Sequence, residues 1–247
     1  MTILVVDSGN HSIKWAMLTH DELIEHGRVV RAAGQYLASA WSKIRRPTRV
    51  VVGNVAGQHG EQTIAAIAQK LWQLPAEFVH SSRSCCGVTN CYADPAKLGI
   101  DRLLAMGAAK RIAEGPVVVI DCGTAVTIDL VDENGVFRGG VIMAGLGLSR
   151  AALQTGTTAL NVYDEQQVSA LASSTADAVT SGTLMGLVGA IERVVREQSE
   201  IMDADPAVLL SGGDAERLLT LLDISVEMHP DLVLQGLRIY CKEGKRN

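Results

Sequence analysis

The sequence has little of what would make it a disulfide scaffold, a metal clip or a membrane span. Its five cysteines, at 85, 86, 91, 122 and 241, are odd in number and form no C-x-x-C pair. That usage fits reduced structural thiols in a cytosol better than a disulfide framework or a metal site. The six histidines are scattered, with no H-x-x-x-H spacing. No run approaches the roughly 18–20 unbroken apolar residues of a bilayer span. Met1–Asp7 has no basic flank and reads as no secretory signal. The patterns G-x-x-x-x-G-K-[ST], G-x-G-x-x-G and G-x-S-x-G are all missing. A P-loop, a Rossmann fingerprint and a serine-hydrolase elbow therefore have no support. Low-complexity tracts and long linkers are missing too. A net charge of −5 weighs against nucleic acid as the main partner. These absences leave a cytoplasmic protein with no membrane and no nucleic acid among its expected partners.

What is present is an ordinary globular composition: 247 residues, 47% apolar, 20% charged, with 24 glycines. The length suits one large domain or two of about 100–150 residues, enough for a sizeable core. Charge is uneven: residues 1–112 carry 13 Lys and Arg against 8 Asp and Glu, whereas 113–247 carry 9 against 19. The shift suggests two halves meeting near Glu114–Pro116, although surface composition alone accounts for it equally well.

A repeat makes the case for two halves stronger. Ile3–Val6 is a short apolar run that enters Asp7-Ser8-Gly9-Asn10. An alternating stretch follows, with Ile13, Trp15 and Met17 on one face and Ser12, Lys14 and Ala16 on the other. Period two over that length predicts a half-buried strand, with a tight turn before it. The same unit returns 114 residues later: Val117–Ile120, then Asp121-Cys122-Gly123-Thr124, then Val126, Ile128 and Leu130 alternating with Ala125, Thr127 and Asp129. A third strand follows in each copy, over Leu23–Val30 and Val136–Ile142. The first half continues with a helix over 35–44, a strand over 49–55, a helix over 61–72, a strand over 77–80 and a helix over 102–113. The second has helices over 147–154 and 177–199, a strand over 207–210, a helix over 215–222, a strand over 224–227 and a helix over 230–241. Both halves read β-β-β-α-β-α-β-α. The expectation is an α/β fold of two similar domains, 1–114 and 115–247, with the two Asp-x-Gly turns at equivalent places facing one cleft.

Two acidic turns on a cleft suit phosphate chemistry. Glycine lets backbone N–H groups approach phosphate oxygens, and an Asp beside them would act through a bound Mg²⁺. Lys14 could reach the same site. A single Asp-x-Gly is more simply a hairpin turn; two in matching contexts favour the phosphate reading. Leu209-Leu210-Ser211-Gly212-Gly213-Asp214 is either a further nucleotide-approach loop or an ordinary strand–loop–helix joint. Asp101, ahead of an apolar-periodic helix, is either its N-cap or a general base that takes the proton of an attacking hydroxyl. Arg102 is either a solvated charge at a helix start or a fork for an acceptor carboxylate. Cys122 reads as a small space filler, and Arg45, Arg46 and Arg49 as a solvated connection.

Placed in order, these residues resemble type III pantothenate kinases, in the actin/hexokinase-like ATPase superfamily. Asp7-Ser8-Gly9-Asn10-His11-Ser12-Ile13-Lys14 is similar to the family's D-x-G-N-[ST]-x-x-K, with His11 at the Ser/Thr place. Tyr92-x-x-Pro95-x-x-Leu98-Gly99-Ile100-Asp101-Arg102 matches Y-x-x-P-x-x-L-G-x-D-R, the most specific element. Asp121 through Thr127 matches D-x-G-T-A-x-T. Gly139-Gly140-Val141-Ile142 is followed by Met143-Ala144-Gly145, where the family has x-P-G. Thr175, with Ser181-Gly182 six residues on, matches T-x-x-x-x-x-S-G.

The resemblance implies two ribonuclease-H-like domains with the active site in the cleft between them. It implies transfer of phosphate from ATP to pantothenate, giving 4′-phosphopantothenate, the first step of coenzyme A synthesis. Asp7, Ser8, Gly9, Asn10, His11, Ser12, Ile13, Lys14 and Thr124 would bind ATP, with Asp7 organising Mg²⁺ through water. Asp101 would be the base; Tyr92, Gly99, Ile100, Asp101, Arg102 and Thr175 would surround pantothenate. Asp121 would help hold a monovalent cation, K⁺ or NH₄⁺, and the chain would form a homodimer. The competing readings are a phosphohydrolase, a sugar or acetate-type kinase, or an accessory protein that keeps the fold without turnover.

Overall fold

The computed structural model describes residues 2–156 and 168–243. They form two compact units. Among the described residues, one comprises 2–114, 133–139 and 231–243; the other comprises 115–132, 140–156 and 168–230.

The first unit is built on a five-stranded sheet. Its strands are β1 (Thr2–Ser8), β2 (Ser12–Thr19), β3 (Glu22–Val30), β4 (Arg49–Asn54) and β5 (Ala76–Val79), in the spatial order β3-β2-β1-β4-β5. β1 runs antiparallel to β2 and parallel to β4. It is the central strand, and Ile3, Leu4, Val5 and Val6 are all buried. A strand covered on both faces needs an unbroken apolar run instead of alternation, and Ile3–Val6 supplies one. On one side lie α1 (Leu37–Trp41) and α2 (Gly57–Trp72). Here Leu4, Val6, Ile13, Trp15 and Met17 meet Leu37, Trp41, Ile64 and Trp72. The three tryptophans pack in series: Trp15 edge-on to Trp41 at 6.2 Å and Trp41 stacked on Trp72 at 5.6 Å. Each of these two ring pairs contributes about 0.5–1.5 kcal/mol beyond its apolar area. Also in this unit are α3 (Ile100–Ile112) and α7 (Leu232–Glu243), which pack on each other. A small hairpin, β6 (Ser84–Cys85) with β7 (Val88–Thr89), precedes α3.

The second sheet repeats the first. Its strands are β8 (Val117–Cys122), β9 (Ala125–Val131), β10 (Phe137–Ala144), β11 (Ala207–Ser211) and β12 (Glu227–Met228), in the order β10-β9-β8-β11-β12. Again the first strand is central, antiparallel to the second and parallel to the fourth. The expected duplicated α/β fold is what the chain adopts. The helices of this half are α4 (Leu146–Gly156), α5 (Thr175–Met202) and α6 (Ala215–Leu219). With 28 residues, α5 is long and apolar enough to cross a membrane by length and composition alone. Its Leu184, Leu187, Val188, Ile191 and Val195 are instead spent on the core of the second sheet.

Candidate active site

The repeat puts the two acidic turns at the same structural address. Asp7 is the next-to-last residue of β1, paired in register with Lys14 on β2 and Gly53 on β4. Asp121 is the next-to-last residue of β8, paired with Thr127 on β9 and Ser211 on β11. Residues opposite one another on neighbouring strands share a face, so Asp7 and Lys14 project side by side. Each turn closes on a backbone bond: Gly9 N–H to Ser12 O at 3.1 Å, and Gly123 N–H to Ala125 O at 3.1 Å. The first turn is one residue longer, and its tip, Asn10-His11, is exposed.

Within the first turn the side chains divide by role. Ser8 is fully buried; its hydroxyl donates to Asn54 Oδ1 at 2.7 Å and accepts from Arg31 Nη2 at 2.8 Å. Ile13 points into the tryptophan-lined core. Ser8 and Ile13 can therefore meet a nucleotide only through their backbone, whereas Asn10, His11, Ser12 and Lys14 keep exposed or half-buried side chains.

The second cluster of the first unit surrounds the start of α3. The N-cap of this helix is Gly99, and Asp101 is its second residue, so Asp101 is not the cap. Its Oδ1 accepts the N–H of Arg102 at 2.8 Å. A Cβ at position 99 would stand 2.5 Å from that same Oδ1, which explains the glycine. Burial pushes the Asp101 carboxyl above the usual carboxylate range, opposed by the Arg102 backbone bond and the Arg102 charge. Arg102 is itself buried and donates from Nη1 to the Tyr92 hydroxyl at 3.2 Å. Its guanidinium carbon lies 5.7 Å from the centre of the Phe137 ring, and the Tyr92 ring packs on Phe137 at 5.6 Å. Cation and ring quadrupole attract at that distance. Asn90, fully buried, ties the preceding loop: it donates to Ser82 O and Pro95 O and accepts from Tyr92 N–H. Arg83 adds bonds to the carbonyls of Asn90 and Tyr92.

In the second unit, Thr124 is exposed at the tip of its turn and Thr175 is exposed at the first residue of α5, which Ser174 caps. Thr124 O accepts Gly145 N–H, and Asp214 N–H donates to Cys122 O. Burial, with Asp121 and Asp214 nearby, pushes the Cys122 thiol up to about 12. Cys122 therefore stays a neutral thiol that fills space.

Comparison with known proteins fixes the family. The type III pantothenate kinase family profile matches residues 3–197. A type III pantothenate kinase of Nitrosococcus oceani is 36% identical over 253 residues, covering 99% of this chain and 95% of that one. The chain belongs to the type III pantothenate kinase family. Two solved structures share its fold. A conserved Baf family protein of Campylobacter jejuni is 20% identical, with a TM-score of 0.61 over 99% of this chain and 100% of that one. MreB 5 of Spiroplasma citri, bound to AMPPNP, is 11% identical, with a TM-score of 0.53 over 100% and 97%. At those identities the likeness speaks of the actin-like ATPase fold alone.

For a pantothenate kinase family member, the sequence motifs leave out several residues that shape the two clusters. Arg31 and Asn54 hold the first turn from 22 and 46 residues away. Phe137 comes from β10, and Asn90 from the loop ahead of Tyr92. The only local signal for any of them is at Asn54, which, like Ser211, ends the strand parallel to the turn-bearing one. Among the described residues no group of three or more His, Cys, Asp or Glu side chains could cage a metal ion. The carboxylates of Asp7 and Asp121 are single hard oxygen donors. They fit a cation that takes most of its ligands from substrate and water.

Proposed function

We propose that this chain phosphorylates pantothenate with ATP, giving 4′-phosphopantothenate and ADP, the opening step of coenzyme A synthesis. The observation that carries the reading is Asp101. It is a carboxylate in the first turn of α3 that accepts the Arg102 N–H, and its burial raises its affinity for a proton. A base of that kind is suited to accept the hydroxyl proton as the acceptor oxygen attacks the terminal phosphorus of ATP. Arg102, bonded to the Tyr92 hydroxyl and over the Phe137 ring, carries the guanidinium that would receive the pantothenate carboxylate. Tyr92, Gly99 and Ile100 complete that side, and Thr175 is proposed to join them.

On the nucleotide side, Asp7, Lys14 and the Ser8–Ile13 backbone receive the phosphates, with Thr124 contributing a hydroxyl. Asp7 would hold Mg²⁺ through water, and the ion's chemistry would be to offset phosphate charge. Asp121 would hold K⁺ or NH₄⁺. Holding donor and acceptor in line supplies much of the rate in phosphoryl transfer, so positioning matters as much as the base. The five free cysteines agree with the reducing cytoplasm. A homodimer follows the family resemblance, and the second unit leaves Ile142, Leu148, Leu153 and Met185 exposed for such a contact.

The test is phosphate transfer from ATP to pantothenate with Mg²⁺, with and without K⁺. Asp101→Asn is expected to lower turnover by about 10²–10⁴, the range for a lost general base. Near-native turnover in the folded variant would remove Asp101 from the chemistry. No transfer by the native protein under any cation would overturn the assignment and return a sugar kinase, a phosphohydrolase or an accessory protein. Light scattering at twice the monomer mass is the expected sign of the dimer.

A further inference from the structure

Arg31 stands just after β3 and reaches back to the first Asp-x-Gly turn by four bonds. Its Nε and Nη2 both donate to Gly9 O, at 2.9 and 2.7 Å, and Nη2 also donates to the Ser8 hydroxyl at 2.8 Å. Its own backbone N–H donates to His11 O at 2.8 Å. Asn54 backs this grip from β4. Its Oδ1 accepts from the Ser8 hydroxyl and from Ala56 N–H, and its Nδ2 donates to Gly57 O. The packing leaves no slack: a Cβ at Gly60 of α2 would stand 2.8 Å from Asn54 Oδ1. Burial lowers the Arg31 pKa and the nearby Asp7 charge opposes that loss.

The direction of these bonds matters. In a trans peptide the C=O and the following N–H point in opposite directions within one plane. Arg31 fixes the Gly9 carbonyl, so it also fixes the Asn10 N–H, which shares that peptide and faces away from the guanidinium. Asn10 is exposed. Resting on the kinase reading above, we propose that Arg31 is a positioning residue for the nucleotide. Its grip on Gly9 and Ser8 aims the backbone N–H of Asn10 at a phosphate oxygen of ATP, and Asn54 locks the grip. An arginine is required because a lysine ammonium cannot hold Gly9 O with two parallel donors while also reaching Ser8.

The experiment measures steady-state kinetics and MgATP binding by calorimetry for Arg31→Ala, Arg31→Lys and Asn54→Ala, each checked by circular dichroism melting. The KM for ATP and the dissociation constant of MgATP are expected to rise about tenfold to a hundredfold in both Arg31 variants, the scale of lost charge-assisted bonds. The KM for pantothenate should stay within about twofold, because Arg31 aims only the nucleotide loop. Free guanidinium should restore part of the ATP affinity of Arg31→Ala and none of that of Asn54→Ala. ATP affinity within twofold of native in a folded Arg31→Lys protein would overturn the proposal. So would a failure of both Arg31 variants to fold, which would make Arg31 a stability residue. If the native protein binds MgATP but transfers nothing to pantothenate, the kinase reading fails alone, and the calorimetric comparison still decides the role of Arg31. Absence of MgATP binding by the native protein would overturn both.

Discussion

The first Asp-x-Gly turn is gripped by side chains: Arg31 holds Gly9 and Ser8, and Asn54 holds Ser8. The second turn, at the same place in the same strand order, is gripped by backbone. Gly145 N–H reaches Thr124 O, Asp214 N–H reaches Cys122 O, and Gly212 lies so close to Cys122 that a Cβ there would fall on its main chain. Gly212 also has φ of 103°, a conformation that L side chains rarely adopt. One sheet architecture has thus solved the same local problem twice, once with a polar clamp and once with main-chain contact. A clamp fixes a loop through groups that a single substitution removes. A main-chain contact is fixed by the absence of a side chain and is broken only by adding one.

Exchanging the two carboxylates separates what the turns do. Asp7→Asn is expected to lower turnover about 10²–10³-fold, the scale of one lost electrostatic contact at the reacting phosphate. Asp121→Asn should act on the cation instead. The K⁺ concentration for half-maximal rate is expected to rise about tenfold to a hundredfold, as for other weakened ion sites. Equal effects of the two substitutions on turnover and on K⁺ response would mean that the turns share one role. Rates across a K⁺ titration for both variants decide it.

The next comparison is of stability. Gly212→Ala adds a methyl group against backbone at a strained φ and should cost about 2–3 kcal/mol. Ser8→Ala removes one hydroxyl from the clamp while Arg31 keeps its bonds to Gly9 O, and should cost about 1 kcal/mol. Urea midpoints of the two variants at unchanged slope measure the difference. A larger loss in Ser8→Ala would mean that the polar clamp, and not the main-chain contact, is the costlier of the two to break.

That contrast also marks what could be read from the amino-acid order. Each strand–turn–strand unit is local, and its apolar run, acidic turn and period-two stretch lie within about fifteen residues of each other. The repeat, the α/β class and the positions of Asp7 and Asp121 were therefore legible. The motif around Tyr92–Arg102 was legible as a resemblance, although only the structure distinguishes Asp101 from a cap. Arg31 and Phe137 were not legible, and Asn54 and Gly212 were legible only as a strand end and a glycine cluster, because what each of them contacts is distant in sequence. Ser8 and Asn54 are 46 residues apart, and Phe137 follows Arg102 only after the rest of α3, then β8 and β9, have passed in the chain. Hairpin β6–β7 was missed because strands of two residues carry no period. The packing of α7 on α3 depends on which element its apolar face meets, which its periodicity does not specify.

Asp101 offers the finest test, because its two properties pull against each other. Burial raises its pKa in the folded protein above the unfolded value. The folded state therefore binds that proton more tightly than the unfolded chain. The sign follows from linkage: this group favours folding below the unfolded carboxylate pKa, and that contribution is lost as pH rises through the higher folded pKa. Above that folded pKa the ionised Asp101 carboxylate is thus a cost to stability, which the proposed base would have to bear. Asp101→Asn removes the charge and keeps an oxygen that can accept the Arg102 N–H. The variant should melt higher than the native protein where Asp101 is ionised, and the gap should close as pH falls through the raised folded pKa of Asp101. Native kcat/KM should fall on the acid side at a higher pH than an ordinary aspartate would impose. The first unit would then lose activity and gain stability from one substitution. Asp121→Asn, at the position in the other sheet equivalent to Asp7, gives the comparison. A melting temperature for Asp101→Asn below native at every pH would mean that the carboxylate is held there for its contacts with Arg102, and not against its own desolvation.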